Sequence, residues 1–335
     1  MSISVDDKEE IKKAILRRFY DGAFLANVDF KFGLRAYAEE KGIGWELINE
    51  IYDELEEEGF FGRCYSPMVV EPSVKALVYC ENNHLVDQAL VDKQNEIRKR
   101  MLEAFVDVRE EKLSPYAFGP PGDMICERAN ISRQDFDNNI SILIYGDYIE
   151  QQVSMDIWRI TEKGRETVKD LRRKRAHLKE FENLKDLIDM NRQVRGLKFQ
   201  KLLAEVIEDE GWKVKEGARP HGKENDIVIT NDLINYFLVS CKWETEPIQV
   251  AVVEHLRSRA QGMVFSTGIL VSMSGFTPNS IGEVLQGRTM KEIVLFGPED
   301  IGAVFLNEKT FPDLLYEKIE RLKHVGRVLV DGNEH

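Results

Sequence analysis

Asp226-Ile227-Val228-Ile229-Thr230 and, after a short gap, Tyr236-Phe237-Leu238-Val239-Ser240-Cys241-Lys242 decide how the last third of this chain folds. Both runs have strand length and are rich in β-branched and aromatic residues. The second is apolar over several consecutive positions, as a central strand covered on both faces would be. An acid opens the first run and a lysine closes the second. If the two pair as a hairpin, Asp226 and Lys242 come to the same end of one sheet.

The flanking sequence extends that sheet. Phe199 to Glu210 places Phe199, Leu202, Leu203, Val206 and Ile207 at helical spacing, and Gly211 ends the helix. Trp212 to Lys215 reads as a short strand, Pro247 to Arg259 as a helix, and Gly268 to Met273 and Glu292 to Phe296 as buried strands. Strands interleaved with helices predict a central mixed sheet with helices on both faces.

The first half reads differently, as helix, helix, helix and hairpin, written twice. The first copy comprises helices at Asp7–Tyr20, Gly33–Glu40 and Trp45–Glu58, with strands at Phe60–Tyr65 and Val74–Tyr79. The second comprises helices at Gln88–Arg109, Asp123–Ala129 and Ser132–Leu143, with a hairpin of Gly146–Gln151 and Ile157–Ile160. Val168 to Arg195 is mostly charged, with a thin apolar stripe and neither Pro nor Gly, and reads as a connecting helix that either pairs with a partner chain or is a simple spacer. The expected organisation is an α+β multidomain chain with domains at 1–85 and 86–168, a connecting helix at 169–195 and an α/β domain at 196–335.

Composition bounds the function. The 335 residues are 43% apolar and 31% charged, which excludes disordered and fibrous classes. No apolar run approaches the ~20 residues that span a bilayer. The N-terminus has no basic segment followed by an apolar stretch, so no secretory signal is expected. The four cysteines, Cys64, Cys80, Cys126 and Cys241, form no Cys-x-x-Cys pair, so neither zinc nor a redox motif is expected and a reduced cytoplasmic setting is. The net charge of −13 conceals a gradient, with residues 1–90 carrying −8. Arg172-Arg173-Lys174-Arg175 lies in a run of six basic side chains within Lys169–Lys179, which is either a strip contacting phosphates or a solvated helix face.

A carboxylate and a lysine at adjacent strand ends suit phosphodiester hydrolysis, in which a divalent cation neutralises the phosphate and activates water. Oxygen donors favour Mg²⁺, with Mn²⁺ as the substitute. Glu224, two residues before Asp226, falls on the same strand face and is a second candidate ligand. Ser272 and Ser274 lack the Gly-x-Ser-x-Gly turn of a nucleophilic hydrolase, and no phosphate loop of nucleotide-triphosphatase spacing is present.

Two resemblances add to this reading. Trp158-Arg159-Ile160-Thr161-Glu162-Lys163-Gly164-Arg165-Glu166 resembles the last strand and closing helix of winged helix-turn-helix domains, and Leu34 to Glu40 with the helix end at Leu55–Phe60 resembles the same fold more loosely. That family commonly inserts its third helix into the DNA major groove. The third helix of the first copy is acidic, with Glu46, Glu50, Asp53, Glu54, Glu56, Glu57 and Glu58, and suits a protein or dimer contact. The second copy offers Arg133, Asn138 and Asn139 to base edges. Residues 195–305 resemble the Mrr-like branch of the PD-(D/E)xK nucleases through Gly196-Leu197-Lys198-Phe199-Gln200, Gly222 to Asp226, Val239 to Trp243 and Gly268 to Phe276.

The nuclease resemblance implies a DNA endonuclease of restriction or antiviral defence, with Asp226 as a metal ligand, the Cys241 carbonyl as another and Lys242 as the group that positions water or stabilises charge. Two departures stand out. Ser240 occupies a position that is usually acidic, and Gln200 a first-helix position that is often Glu. Ser240 leaves three alternatives open: a catalytically inactive fold kept for DNA binding or regulation, an altered sequence, or an acid supplied from the following helix by Glu254. Cutting both strands takes two active sites, which would make the working form a homodimer.

Overall fold

The computed structural model describes residues 5–25, 31–66, 69–110, 119–152, 156–187, 191–216, 227–231, 236–262, 266–286 and 292–335. The chain forms two compact units, residues 1–171 and 172–335.

In the first unit, α1 (Val5–Leu25) precedes β1 (Phe32–Gly33), α2 (Leu34–Lys41), α3 (Trp45–Glu57), β2 (Phe61–Ser66) and β3 (Val69–Pro72). The three strands form a sheet in the order β1-β3-β2. Ile48, Ile51 and Leu55 bury one face of α3 against Ile15, Leu16 and Phe19 of α1. Ion pairs from Lys8 and Lys12 to Glu50, Glu54 and Glu58 tie the two helices at the surface.

Val74–Tyr79, expected as a strand, is the start of helix α4 (Val74–Asn82). The second strand of the hairpin is Val69–Pro72 instead. Ser73 caps α4 by accepting a hydrogen bond from the Ala76 amide, and Ala76, Leu77 and Cys80 bury at helical spacing. The cap and this period outweigh the strand preference of the valines.

The order then repeats with α5 (Gln88–Glu110), α6 (Gly122–Ala129), α7 (Arg133–Tyr145), β4 (Ile149–Gln151) and β5 (Trp158–Ile160). An isolated bridge between Pro121 and Ile157 takes the place of the first strand. Ser132 and Asp135 form a reciprocal capping box at the start of α7.

The two halves of this unit are joined through a buried polar chain. The Arg98 guanidinium donates to both oxygens of Glu81, at 2.6 and 2.8 Å, and through Nε to Asn139 Oδ1 at 2.8 Å. Asn139 Nδ2 donates to Gln94 Oε1 and to the Asp135 carbonyl, each at 2.9 Å. Tyr20 OH donates to Glu81 at 2.7 Å. Asn139, expected to read DNA bases, is fully buried in this network. The sequence reading is corrected there, because a side chain whose amide and carbonyl are committed inside the fold is not available to a groove.

Helix α8 (Glu162–Asp186) crosses the unit boundary. It ends before Arg195, and α9 (Arg192–Asp209) is a separate helix. Part of the stripe read on a connecting helix is core: Phe181 and Leu184 bury against Phe199 and Phe305, while Leu187 is exposed.

The second unit is built on a five-stranded sheet in the order β10-β9-β8-β7-β6, from β6 (Lys213–Glu216), β7 (Ile227–Thr230), β8 (Tyr236–Lys242), β9 (Ser266–Ser272) and β10 (Ile293–Phe296). β6, β7 and β8 pair antiparallel, while β8, β9 and β10 pair parallel, which is the mixed sheet expected. Helix α9 covers one face; α10 (Val250–Gln261) and α11 (Pro278–Gln286) cover the other. α12 (Pro298–Phe305), α13 (Phe311–Glu320) and a hairpin of β11 (Leu329–Val330) and β12 (Asn333–Glu334) complete the unit. A buried Lys318–Asp300 pair at 2.9 Å anchors this last part, with Lys318 also donating to the Leu329 carbonyl.

Two outcomes follow from these interiors. Arg98→Ala leaves Glu81 without its buried partner and should cost about 3–5 kcal/mol, read as a lower urea midpoint of the full chain. Glu210, whose Oε2 accepts the Phe311 amide at 3.1 Å, is pushed up to about 7 by burial from an ordinary value of 4.5. The folded chain therefore holds a proton there that the unfolded chain has released, so stability falls as pH rises from about 4.5 through 7. Glu210→Gln should raise the melting temperature at pH 8 and leave it unchanged at pH 4; parallel melting curves at both pH values would contradict this.

Candidate functional site

Strand β8 is apolar because both of its faces are covered. Side chains alternate along it, so Phe237 and Val239 enter the core beneath α9, while Leu238 enters the core beneath α10. The alternation continues to the strand end. Cys241 packs with the α9 core, as does Trp243 just beyond. Ser240 and Lys242 therefore fall on the α10 face. Ser240 is 4% exposed, whereas Lys242 is half-buried at the rim.

The neighbouring strands frame this end. Lys242 pairs with Ser272 in the parallel ladder, and its carbonyl accepts the Met273 amide at 3.1 Å. Ser272 Oγ donates to the Gly275 carbonyl at 3.0 Å and accepts the Ser274 amide at 3.2 Å, so these serines build the turn after β9. On the other side, Ile227 lies opposite Val239 and Thr230 opposite Tyr236. β7 thus begins at the sheet end where β8 finishes. Asp226 and Glu224, the expected ligands preceding Ile227, lie outside the described residues.

Helix α10 follows β8 and lies on the face that bears Ser240 and Lys242. Val253 and Leu256 bury against Val228, Leu238 and Leu270. The approach is close because Gly268, opposite Leu238, has no side chain; a Cβ there would fall 3.2 Å from Leu256 Cγ. Glu254 is one position from Val253 on the flank of this helix, and it is exposed. Gln200 is half-buried on α9, which covers the opposite face. The structure therefore gathers Ser240, Lys242 and the helix of Glu254 on one side and sets the helix of Gln200 on the other.

The donors suit a hard cation only in part. Ser240 offers a hydroxyl, Cys241 a backbone carbonyl and Glu254 a carboxylate, all oxygen donors of the kind Mg²⁺ takes. Among the described residues, no three His, Cys, Asp or Glu side chains cluster closely enough to hold a metal ion. A complete set needs the acids before Ile227. The Cys241 thiol is no substitute, since burial pushes it up to about 12 and keeps it protonated at neutral pH.

The residues expected to contact nucleic acid are spread over other elements. Arg133 is exposed but bound to Asp123, Asp137 and Asp156 at 2.8–3.0 Å, and Asn138 is half-buried on the same helix. Arg172, Arg173, Lys174 and Arg175 are exposed on α8, where Arg173 pairs with Asp209 at 2.7 Å. Sequence reasoning missed Arg195. It is seven residues before Leu202 on α9, and its guanidinium stacks on Trp243, 4.9 Å from the ring centroid. Forty-odd residues of chain separate the two, so no local spacing signals the contact.

Residues 191–301 match the family model of the Mrr catalytic domain, described as a restriction endonuclease. This matched segment holds α9 through the start of α12 and is similar to Mrr-like restriction endonuclease domains. Residues 1–190 lie outside the match. No curated protein and no solved structure matches the chain. No helix among the described residues is long and apolar enough to cross a membrane.

The packing role of Cys241 has a direct check. Iodoacetamide at pH 8 should label exposed Cys64 in the folded chain and spare Cys241 until denaturant is added, as read by peptide mass spectrometry. Equal labelling of both in the native chain would remove Cys241 from the core.

Proposed function

We propose that this protein is a metal-dependent DNA endonuclease. The observation that carries the reading is the β7–β8 register, which starts β7 at the sheet end where β8 terminates in Lys242, within the segment that matches a restriction endonuclease model. Asp226 directly precedes that start in sequence and is the proposed principal ligand. Glu224, the Cys241 carbonyl and Glu254 are the proposed companions, with Mg²⁺ or Mn²⁺ as the cation. A bound cation would neutralise the scissile phosphate and lower the pKa of water at the site. Lys242 would hold the attacking water and offset the charge that develops on the phosphate. Ser240 would contribute a neutral hydroxyl, and Gln200, on the opposite face, at most an outer contact.

The repeated order of helix, strand or bridge, two helices and hairpin supports reading residues 1–85 and 86–168 as two winged-helix-like domains. The first would serve contact with a partner or a second copy, and the second DNA docking through Arg133 and Asn138. Residues 172–175 would add phosphate contacts, residues 169–195 the connection, and residues 196–335 the cutting. Incision of both strands would take a homodimer. Restriction or antiviral defence in the cytoplasm is the proposed setting, on the family description alone.

Plasmid cleavage tests the reading. The wild-type chain with Mg²⁺ or Mn²⁺ should cut, and Lys242→Ala should cut about 10²–10³-fold more slowly, the usual loss when a group that stabilises transition-state charge is removed. Glu254→Ala should weaken or alter the metal dependence; unchanged cutting would remove Glu254 from the ligand set. If the wild-type chain binds DNA but cuts with neither metal, the alternative holds and the fold serves as an inactive DNA-binding or regulatory module.

A further inference from the structure

Arg195, half-buried at the start of α9, differs from the arginines that carboxylates hold. Arg98 is paired with Glu81, Arg257 with Glu283, Arg133 with three aspartates and Arg173 with Asp209. Arg195 has no carboxylate partner among the described residues, and its Nε is buried without a hydrogen-bond partner. What holds it is the face of Trp243, at 4.9 Å from the ring centroid.

That shelf is rigid. Phe199 meets the Trp243 ring edge-on at 5.1 Å, and Phe181 lies 6.4 Å from it. A cation–π contact orients a guanidinium but satisfies none of its N–H donors. The result is a fixed planar fork with donors to spare, stacked on the residue that follows Lys242. The adjacent first turn of α9 adds Arg192 and the positive end of the helix.

We infer that Arg195 is a phosphate-binding residue that grips the DNA backbone beside the bond to be cut. The inference rests on the nuclease reading for the identity of the ligand. A guanidinium fork matches carboxylate and phosphate alike, and on the nuclease reading the anion that reaches this sheet end is a backbone phosphate; burial of the stem on Trp243 reduces the side-chain freedom lost on binding. Placement on the α9 side of the sheet end, opposite the face of Ser240 and Lys242, suits a phosphate neighbouring the scissile one. The residue would position the strand and take no part in bond making or breaking.

The test uses the full chain and a DNA duplex of about 30 base pairs, with fluorescence anisotropy read in Ca²⁺ over a range of salt concentrations. Arg195→Met keeps the stem on Trp243 and removes the fork. It should weaken binding about tenfold and reduce the slope of log affinity against log salt by about 0.9, the value for one lost phosphate contact. Arg195→Lys should keep most of the salt slope and lose part of the affinity. Thermal melts of both variants should match the wild type. Unchanged affinity and slope in Arg195→Met would overturn the inference, and so would a loss of affinity that comes with a lower melting temperature and an unchanged slope. Plasmid cutting by the same samples separates the two readings: a wild type that cuts while Arg195→Met binds normally sinks only this inference. A wild type that does not cut, but loses affinity and slope in Arg195→Met, keeps the phosphate contact and sinks the endonuclease.

Discussion

The pleat of β8 governs the second unit. One strand carries alternate side chains into two cores, and that alternation has no freedom once Phe237, Leu238 and Val239 are buried. It sends Cys241 and Trp243 toward α9 and Ser240 and Lys242 toward α10. A slip of one residue would turn the lysine toward the apolar core beneath α9 and turn Phe237 and Val239 to the α10 face. The position of the candidate chemistry is thus set by the same packing that holds the sheet together. The antiparallel partner β7 and the parallel partner β9 then fix which end of the sheet the lysine occupies.

The first unit shows a different way of making one body from two similar halves. Each half has its own apolar core, but Ile142 of the second half packs in the core of the first. The Tyr20–Glu81–Arg98–Asn139–Gln94 chain runs alongside that contact and draws on α1, α4, α5 and α7. Apolar packing tolerates small shifts, whereas a buried bidentate ion pair with satisfied donors does not. The polar chain therefore fixes the relative placement of the two halves more tightly than their cores would.

The sheet was legible because strand period and helix period rarely coincide over long runs: β8, the core stripe of α9 and the order of flanking elements all follow from apolar spacing. The failures have local causes. Val74–Tyr79 contains two valines and a tyrosine, but one serine cap at position 73 turned it into a helix. The stretch 168–195 lacks Pro and Gly, so nothing in it marks the end of α8 at Asp186, and its sparse stripe of Phe181 and Leu184 reads as surface although it is core. Asn139 sits among polar residues on an amphipathic helix, and only the arrival of Arg98 and Gln94 from another helix shows that it is buried. The place of Lys242 at the end of β8 was legible in the sequence. The stacking of Arg195 on Trp243 was not, since it depends on how α9 lies across β8.

Serine at position 240 acquires a physical sense from its surroundings. The side chain is almost wholly buried beneath α10, where an ionised carboxylate without a bound cation would carry a large desolvation penalty. A hydroxyl there removes that penalty and lets α10 settle closely over Gly268 and Leu238. If the site is to hold a cation, the negative charge must then come from positions that remain hydrated when no cation is bound. Glu254 meets that condition, on the same sheet face but on the exposed flank of its helix. The exchange would separate two demands that a conventional acidic residue at 240 has to satisfy together: a dry, well-packed sheet end in the free protein, and a charged one when the metal arrives.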